Sequence, residues 1–460
     1  MVLARGVEVA DGIAELPRDI VSWLEETTGL PLIRALRIPG GGVRQGWFVD
    51  FREPDGSTRE LFLRHSPEPE SPAFHRLATE AEVVRALGEA GARVAKVHAV
   101  HPTLEAVLQE RVEGGTWFSR IHDPDEQVRV AQDFIRQLAY VHRLDPSRLR
   151  VPSLGPVRSA REHALERIQA IRDRARRPDG SLDPLVRLSA DWLERNVPDY
   201  EGPVVLVQGD TGPGNFMYRD GRVTAVVDWE LSHWGDPMDD IAWLSLRTVQ
   251  DTFTHLPDRL AEYAELSGHK LDEERVWYYR VFAETTMATL RPEEPGTRQP
   301  PQDVGNRIIY AQLHRRLWLE ALDVVMNLGL RRPAIPEPPA PEPWHHLYDD
   351  ALEMLRTITP RIDDPLAQRW AKGVARALRY LRDVDASGRA LAAQELDELE
   401  QELGERPSSL AEGREALTGP TASVPDDRLV RHLWNRIMRD DHLMRSASGA
   451  LHRRTWPPLR

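Results

Sequence analysis

Two short apolar runs, each leading to an aspartate, form the most distinctive pattern in the middle of the chain. The first run, residues 204–207, leads to Asp210, and the second run, residues 223–227, leads to Asp228. A polar turn that contains an Asp-Gly pair stands just before the second run. Apolar runs of this length between turn residues predict a strand followed by a hairpin, so both aspartates are expected where strands end.

The chain around this pattern divides into a β-rich part and a helical part. In the first hundred or so residues, apolar runs and turn residues predict strands within 38–51, 60–64 and 106–112 and a helix over 77–87. From about residue 117 the apolar positions recur with a helical period. The predicted helices cover residues 130–142, 160–174, 184–196, 239–246, 276–288 and 306–327.

A proline-rich stretch predicts a boundary ahead of the C-terminal region. Residues 332–343 contain six prolines, which exclude a helix and favour an extended spacer. Beyond it, apolar residues at helical spacing predict an all-α region with no recognisable catalytic constellation. The predicted organisation is residues 1–112, residues 113–331, a linker at 332–344 and a helical domain of unknown role at 345–460. Self-association through these last helices to form a homo-oligomer is a further hypothesis.

Composition narrows the class of protein. The 460 residues are 41% hydrophobic and 29% charged, and no apolar run approaches the roughly 20 residues that cross a bilayer. The chain has no cysteine, which excludes disulfides, thiolate zinc sites and cysteine nucleophiles. A net charge of -13 argues against nucleic acid as a partner. We therefore expect a cytoplasmic protein with neither membrane nor nucleic acid as partner.

Asp210, Asn215 and Asp228 together indicate a class of reaction. Taken singly, such a residue is most often a turn, capping or salt-bridge residue. Grouped at the ends of these strands, the three side chains supply what phosphoryl transfer from a magnesium nucleotide requires. One carboxylate lies beside the incoming hydroxyl, while an amide and a second carboxylate hold the metal.

Neighbouring motifs extend the pattern, and together they resemble a known family. The motifs are Gly-Asp at 209–210 with Asn215, Asp-Trp-Glu at 228–230, Gly-Asp-Pro at 235–237 and Asp-Ile-Ala at 240–242. They resemble the aminoglycoside phosphotransferase and choline kinase-like family, and most closely its branch of kinase-like domains linked to acyl-CoA dehydrogenases. The resemblance implies an α+β, two-lobed protein-kinase-like fold with a β-rich N-lobe and a helical C-lobe. This chain would add its C-terminal all-α domain to that fold.

The resemblance, which has good motifs over about residues 38–247, implies roles for the central residues. Asp210 matches the catalytic aspartate of the family, and Asn215 and Asp228 match its magnesium ligands. Asp240 matches a buried aspartate that supports the catalytic loop.

In the N-lobe, the resemblance implies a site for the nucleotide phosphates. Gly41 and Gly42 fall in the loop that covers the phosphates. Arg64 falls where the family has a strand cation on them, and Glu80 matches the acidic partner of that cation. An unpaired charge on an apolar strand would be costly, which independently favours an ion pair between Arg64 and Glu80.

The resemblance also implies a hinge between the lobes. Glu110 and Val112 fall in the segment whose backbone N–H and C=O groups would read the edge of the adenine ring. This places the nucleotide between the β-rich and helical parts of the chain.

Some positions depart from the family or have more than one interpretation. Gln208 stands where a histidine often precedes Gly-Asp, and an amide can still brace the loop by hydrogen bonding. Val43 and Gly46 stand where close relatives favour hydroxyl side chains that donate to phosphate. Glu230 either contacts substrate or a second metal or has a structural role. His142 is interpreted as a packing or hydrogen-bonding histidine.

The leading hypothesis is an O-phosphotransferase of small molecules that uses Mg²⁺ and either ATP or GTP. The resemblance leaves the acceptor open between a hydroxyacyl-CoA-like molecule and an antibiotic of the aminoglycoside kind. Arginines over residues 160–177 favour an anionic acceptor. The alternative is a non-catalytic nucleotide-binding scaffold that acts through its C-terminal helical domain, and the altered Gln208 is consistent with it.

Overall fold

The computed structural model of the chain describes residues 13–38, 44–67, 74–290, 303–340, 342–419 and 424–460. An antiparallel sheet is followed by a large set of helices, so the predicted α+β class is confirmed. The phosphate-loop residues Gly41, Gly42 and Val43 lie outside the described residues. Within the described ranges, no helix is both long enough and apolar enough to cross a membrane.

The N-terminal sheet has the strand order β1-β2-β3-β5-β4, and its neighbouring strands are antiparallel. Its elements are β1 Leu32–Ile38, β2 Gln45–Arg52, β3 Thr58–His65, β4 Val97–Val100 and β5 Ala106–Glu110, with the helices α1 Arg18–Thr28 and α2 Leu77–Glu89. Ile20 and Leu24 of α1 are buried in a cluster with one face of the sheet. Leu77 and Ala81 of α2 pack with Val107 of β5 in a second cluster.

Buried and partly exposed side chains alternate along β3, and this alternation determines where Arg64 points. Leu61, Leu63 and His65 are buried, whereas Phe62 and Arg64 between them are partly exposed. Successive side chains of a strand point to opposite faces. Arg64 pairs in register with Val107 of β5, which packs on α2, so Arg64 lies on the face of the sheet that α2 covers.

Gly46 has a packing role, and this explains why no hydroxyl side chain stands at that position. It pairs in register with Arg64 on the neighbouring strand. A Cβ atom at residue 46 would lie 2.8 Å from Phe62 Cζ and 3.0 Å from Ile38 Cγ1. A serine or threonine would therefore force both side chains to move.

Helices and two small sheets build the region after residue 113. The helices are α3 Pro124–His142, α4 Ala160–Ala175, α5 Pro184–Arg195, α6 Pro237–Gln250, α7 Leu256–Ser267, α8 Glu273–Leu290 and α9 Val304–Met326. The paired strands are β6 Val205–Val207 with β9 His233–Gly235, and β7 Phe216–Arg219 with β8 Arg222–Val226.

An Asp-Pro pair starts several of these helices. Asp123, Asp183 and Asp236 each accept a hydrogen bond from the backbone two residues on, and proline follows at the first helical position of α3, α5 and α6. An aspartate N-cap satisfies an otherwise unpaired N–H, while proline at the next position lacks the N–H that would be unpaired. The Gly-Asp-Pro motif is thus the start signal of α6, the helix that carries Asp240.

The C-terminal region is helical and packs on the preceding helices. Its helices are α10 His346–Ile358, α11 Pro365–Leu403, α12 Leu410–Thr418 and α13 Asp426–Ser448. Leu433 and Ile437 of α13 belong to the same buried core as α3 to α9. On α10, Leu347 and Met354 are 57% and 68% exposed. The division into domains and self-association through these helices stay predictions.

Candidate functional site

The strand β6 delivers the predicted catalytic loop at the edge of the helical region. β6 ends at Val207, and the chain then turns at Gly209, whose φ of 83° lies in the left-handed region. A Cβ atom at residue 209 would clash with the carbonyl oxygen of Leu231, so this turn requires glycine. The loop continues through Asp210 to Asn215, directly before β7.

Asp240 of α6 holds this loop through its backbone. Its carboxylate accepts hydrogen bonds from the N–H of Gln208 at 2.9 Å and the N–H of Gly209 at 3.0 Å, and also from the Thr211 hydroxyl. His142 Nε2 lies 2.9 Å from the same carboxylate, and both side chains are buried. His142 is therefore a hydrogen-bonding residue of the loop support.

Replacing Asp240 with asparagine is expected to lower the unfolding temperature by about 2–4 °C. The new amide group would face N–H donors and leave a buried donor unpaired, which costs about 1–3 kcal/mol. Differential scanning fluorimetry of the full chain measures the change. The matched control is Asp258→Asn on α7, where the side chain is exposed and the expected shift is under about 1 °C. Equal unfolding temperatures of Asp240→Asn and wild type would contradict the support role.

Asp210 and Asn215 are hydrogen-bonded to each other and to Arg247. Asn215 Nδ2 donates to the backbone oxygen and to Oδ2 of Asp210, both at 2.7 Å. Arg247 Nη2 donates to Asn215 Oδ1 at 3.0 Å, and Arg247 Nη1 lies 3.7 Å from Asp210 Oδ2. Burial raises the pKa of the Asp210 carboxyl, Arg247 opposes that rise, and Asp228 adds to it. Asp210 is thus a carboxylate with a raised affinity for a proton.

The sequence interpretation missed Arg247. It lies on α6 seven residues after Asp240, which is two helical turns, so both side chains project towards the same loop. This spacing is a signal that could have identified Arg247 once Asp240 had been assigned.

Gln208 ties the catalytic loop to the strand end that carries Asp228. Its Nε2 donates to the Val227 oxygen at 2.6 Å, and its Oε1 accepts from the Thr211 hydroxyl at 3.0 Å. The Val227 N–H in turn donates to the Asn215 oxygen at 3.0 Å. A second, longer bond joins Gln208 Nε2 to the Asp228 oxygen at 3.4 Å, so the amide donates twice and accepts once across the loop and the strand end.

Asp228 adopts a left-handed backbone conformation, with a φ of 66°. Its side chain is 34% exposed, so its carboxylate can reach a bound group. Arg64 Nη2 lies 3.3 Å from Asp228 Oδ1, which joins the N-terminal sheet to the hairpin of the helical region. The structure therefore brings Arg64 and Asp228 together, as the sequence predicts for a shared phosphate site.

Glu80 is the buried centre of a charge cluster between the two parts of the chain. It forms an ion pair with Arg64, as predicted from the sequence, and a second one with Arg44 at 2.6 Å. Its Oε1 also accepts a hydrogen bond from the Trp229 N–H at 3.1 Å. Although burial opposes the charge, Glu80 and then Asp228 raise the pKa of Arg64. Arg44 is a second cation of this cluster that the sequence interpretation missed.

Glu230 faces the same cluster. It lies 3.1 Å from Arg44 and 3.8 Å from Arg64. Burial, and then Asp228, raise the pKa of Glu230 to about 8, against the effect of the two arginines. The arrangement gives Glu230 a structural ion-pair partner and also places it beside the predicted metal ligand Asp228.

Asn215 and Asp228 offer side-chain oxygens, which are the ligands that Mg²⁺ prefers. In nucleotide sites Mg²⁺ takes only a few ligands from the protein and the others from phosphates and water. Asn215 Oδ1 accepts from Arg247, and Asp228 Oδ1 faces Arg64, so each of these oxygens already has a cationic neighbour. Among the described residues, no group of three or more His, Asp or Glu side chains could hold a metal ion. Binding of Mg²⁺ by Asn215 and Asp228 stays a prediction, and it would need further ligands such as nucleotide phosphates.

The predicted hinge residues lie where the sheet joins the helices. Glu110 ends β5, its N–H donates to the Lys96 oxygen at 2.8 Å, and its carboxylate accepts from the Lys96 N–H at 3.1 Å. The Arg111 guanidinium lies 3.9 Å from the centre of the Phe48 ring. Val112 is half-buried in the segment that follows. The structure thus places Glu110 and Val112 at the junction, and their contact with adenine stays a prediction.

Comparison with known proteins gives the same family. A sequence model described as the phosphotransferase enzyme family matches residues 36–277. The chain is similar to acyl-CoA dehydrogenase family member 11 of Rattus norvegicus, at 28% identity over 235 residues, which are 49% of this chain and 30% of that protein. It is also similar to family member 10 of Mus musculus, at 25% identity over 206 residues, which are 41% of this chain and 18% of that protein. The chain spans less than a third of the length of these relatives.

The solved structures to which the chain is similar include an aminoglycoside phosphotransferase and a macrolide phosphotransferase. ADP-bound aminoglycoside phosphotransferase APH(2'')-Ib has a TM-score of 0.46 at 13% identity, and the match covers 61% of this chain and 93% of that one. Macrolide 2'-phosphotransferase type I has a TM-score of 0.43 at 19% identity, and the match covers 59% of this chain and 91% of that one.

The family match covers more than half of the chain and includes Arg64, Glu80 and the loop supported by Asp240. The fold is the predicted two-lobed, protein-kinase-like α+β fold, with a helical region after it. The resemblance noted from the motifs is confirmed, and the chain belongs to the phosphotransferase enzyme family.

Proposed function

We propose that the chain transfers the γ-phosphate of ATP or GTP to the hydroxyl of a small-molecule acceptor. Its family makes it a small-molecule phosphotransferase, and the proposal adds the donor, the metal and the acceptor group. One observation supports it most. The Arg64–Glu80 pair of the N-terminal lobe reaches Asp228 of the C-terminal lobe, where Asp228 lies beside the loop of Asp210 and Asn215. A kinase cleft requires this meeting of a phosphate-binding cation, metal ligands and a base.

On the donor side, each residue has a definite task. Asn215 and Asp228 would hold Mg²⁺, which when bound neutralises charge on the nucleotide phosphates. Arg64, fixed by Glu80, binds the phosphates with a rigid guanidinium. Gln208 keeps the catalytic loop at a constant distance from the Asp228 strand end.

On the acceptor side, Asp210 orients the hydroxyl and takes its proton late in the transfer. Asn215 Nδ2 and Arg247 fix the position of the Asp210 carboxylate. The bond that forms joins the acceptor oxygen to the γ-phosphorus, and the bond that breaks joins this phosphorus to the bridging oxygen of the nucleoside diphosphate.

Two acceptor classes follow from the relatives. The acyl-CoA dehydrogenase family members suggest a hydroxyacyl-CoA-like acceptor, and the structural neighbours suggest an aminoglycoside-like or macrolide-like one. A polyanionic thioester and a cationic antibiotic need opposite charges at the acceptor site, so a test of both classes separates them.

A nucleotide-consumption screen tests the proposal. We expect ATP or GTP to raise the unfolding temperature only when Mg²⁺ is present, and at least one acceptor alcohol to stimulate nucleotide consumption with formation of a phosphorylated product. The panel contains a hydroxyacyl-CoA, an aminoglycoside, a macrolide, choline and a sugar, and mass spectrometry identifies the product. Magnesium-dependent nucleotide binding without transfer to any acceptor would instead favour the nucleotide-binding scaffold.

A further inference from the structure

A cavity of about 130 Å³ lies between the catalytic loop and helix α4. Gly209 and Glu230 line it on the side of the loop, while Arg167 and Arg174 line it from α4. An apolar cavity of about 150 Å³ takes one benzene molecule, so this volume suits one end of a small molecule. Gly209 directly precedes Asp210 along the chain, so the cavity adjoins the loop that carries the proposed catalytic carboxylate.

Arg174 carries a positive charge that its described neighbours do not neutralise. Its Nε is buried and has no hydrogen-bond partner within the described part of the chain, where Arg174 also forms no ion pair. Burial, and then the nearby Arg167, lower the pKa of its guanidinium. A buried N–H donor without a partner is unfavourable, so an anion in the cavity would supply the partner that Arg174 Nε lacks.

Arg167 differs because its partners are already present. Its Nη1 lies 2.5 Å from Asp239 Oδ2, and its guanidinium lies 4.3 Å from the centre of the Phe282 ring. Asp239 thus pairs with Arg167, and no described carboxylate pairs with Arg174 on this wall of the cavity. An ammonium group beside the two arginines would be repelled, whereas a carboxylate or phosphate would restore the charge balance.

We propose that this cavity is the acceptor subsite and that Arg174 binds the anionic group, a carboxylate or a phosphate, of a small hydroxylated acceptor. The inference rests on the proposed kinase function and narrows it to anionic alcohols. The acceptor oxygen forms its bond to the γ-phosphorus of the nucleoside triphosphate, and its proton passes to Asp210. The bond to the bridging oxygen breaks, so the products are the phosphorylated acceptor and a nucleoside diphosphate.

The test compares acceptors of similar size and different charge. Glycerate, glycerol and choline are an anionic, a neutral and a cationic alcohol, and glycerol phosphate carries its negative charge on a phosphate instead of a carboxylate. Initial rates are measured with the full chain as wild type, Arg174→Gln, Arg174→Lys and Arg176→Gln. Arg176 is exposed at the end of the same helix and provides the matched control.

We expect transfer to glycerate or glycerol phosphate and none to choline. Whichever anion is used shows whether Arg174 binds a carboxylate or a phosphate. Arg174→Gln should raise KM for that acceptor by at least about tenfold, which exceeds its effect on KM for the nucleotide. Arg174→Lys keeps the charge and should restore most of the affinity. Arg176→Gln should behave as wild type.

Other outcomes separate this inference from the kinase function itself. Equal or faster transfer to glycerol or choline, or the same KM for Arg174→Gln and Arg176→Gln, would overturn the anionic subsite and leave the kinase function intact. If no acceptor is phosphorylated although the magnesium nucleotide binds, the kinase function is overturned. In that case the unfolding temperature is measured with glycerate alone. A rise that Arg174→Gln abolishes would support the anionic subsite, and no rise in the wild type would refute it.

Discussion

Asp210→Asn is expected to reduce acceptor phosphorylation by about a thousandfold while nucleotide binding stays nearly unchanged. The amide has the size of the carboxylate and can still contact Asn215, but it cannot take the proton of the acceptor hydroxyl. A positioned general base contributes about 10²–10⁴-fold to a rate. Burial raises the pKa of Asp210, so the carboxylate lost is a stronger base than an ordinary aspartate. Initial rates of product formation and the thermal shift with magnesium nucleotide measure the two effects.

The control for Asp210→Asn is the same substitution at a position outside the site. Asp220 lies in the turn between β7 and β8 with its side chain 88% exposed, so Asp220→Asn is expected to keep wild-type rates. Transfer by Asp210→Asn at a rate within a few-fold of wild type would show that Asp210 is not the base.

The ion pair between Arg64 and Glu80 could be predicted from the sequence, because both residues lie on elements with a clear apolar pattern, while the nucleotide-binding role of these residues stays a prediction. The strand that carries Arg64 and the helix that carries Glu80 each have a strong apolar period, and burial of a charge demands a partner. The structure contains this ion pair. Likewise, Gln208 has the donor and the acceptor that bracing of the loop requires.

The residues that the sequence interpretation missed depend on contacts between distant segments. Arg44 reaches Glu80, which lies 36 positions along the chain, and Arg247 reaches Asn215, which lies 32 positions back. No local period or turn signal predicts the contact of Arg44, whereas Arg247 could be identified only by its two-turn spacing from Asp240 on α6. Helix α1 was also missed, although its apolar residues, among them the buried Ile20 and Leu24, recur at helical spacing.

Asp228→Asn is expected to lower the rate of transfer at least about a hundredfold and to abolish most of the magnesium-dependent stabilisation by nucleotide. The amide oxygen can still approach a metal, but it lacks the negative charge that favours binding of Mg²⁺. Asparagine tolerates the left-handed conformation at residue 228, so the backbone should keep its shape. A magnesium titration of the rate and of the thermal shift provides the measurement. Excess Mg²⁺ should restore part of the activity of this variant, but none of that of Asp210→Asn.

In the absence of metal, Asp228→Asn is not expected to destabilise the protein, because the charge of Asp228 opposes ionisation of two neighbouring carboxyls. Asp228 raises the pKa of both Asp210 and Glu230, so its removal relieves repulsion among these carboxyls, while Arg64 keeps its pair with Glu80. The unfolding temperature without metal is therefore expected to be equal to that of wild type or higher by about 2 °C. Asp220→Asn provides the matched control, since Asp220 also has a positive φ, of 51°, in the same hairpin. A large loss of stability without metal would mean that Asp228 has a structural role, and unchanged magnesium dependence would exclude it as a metal ligand.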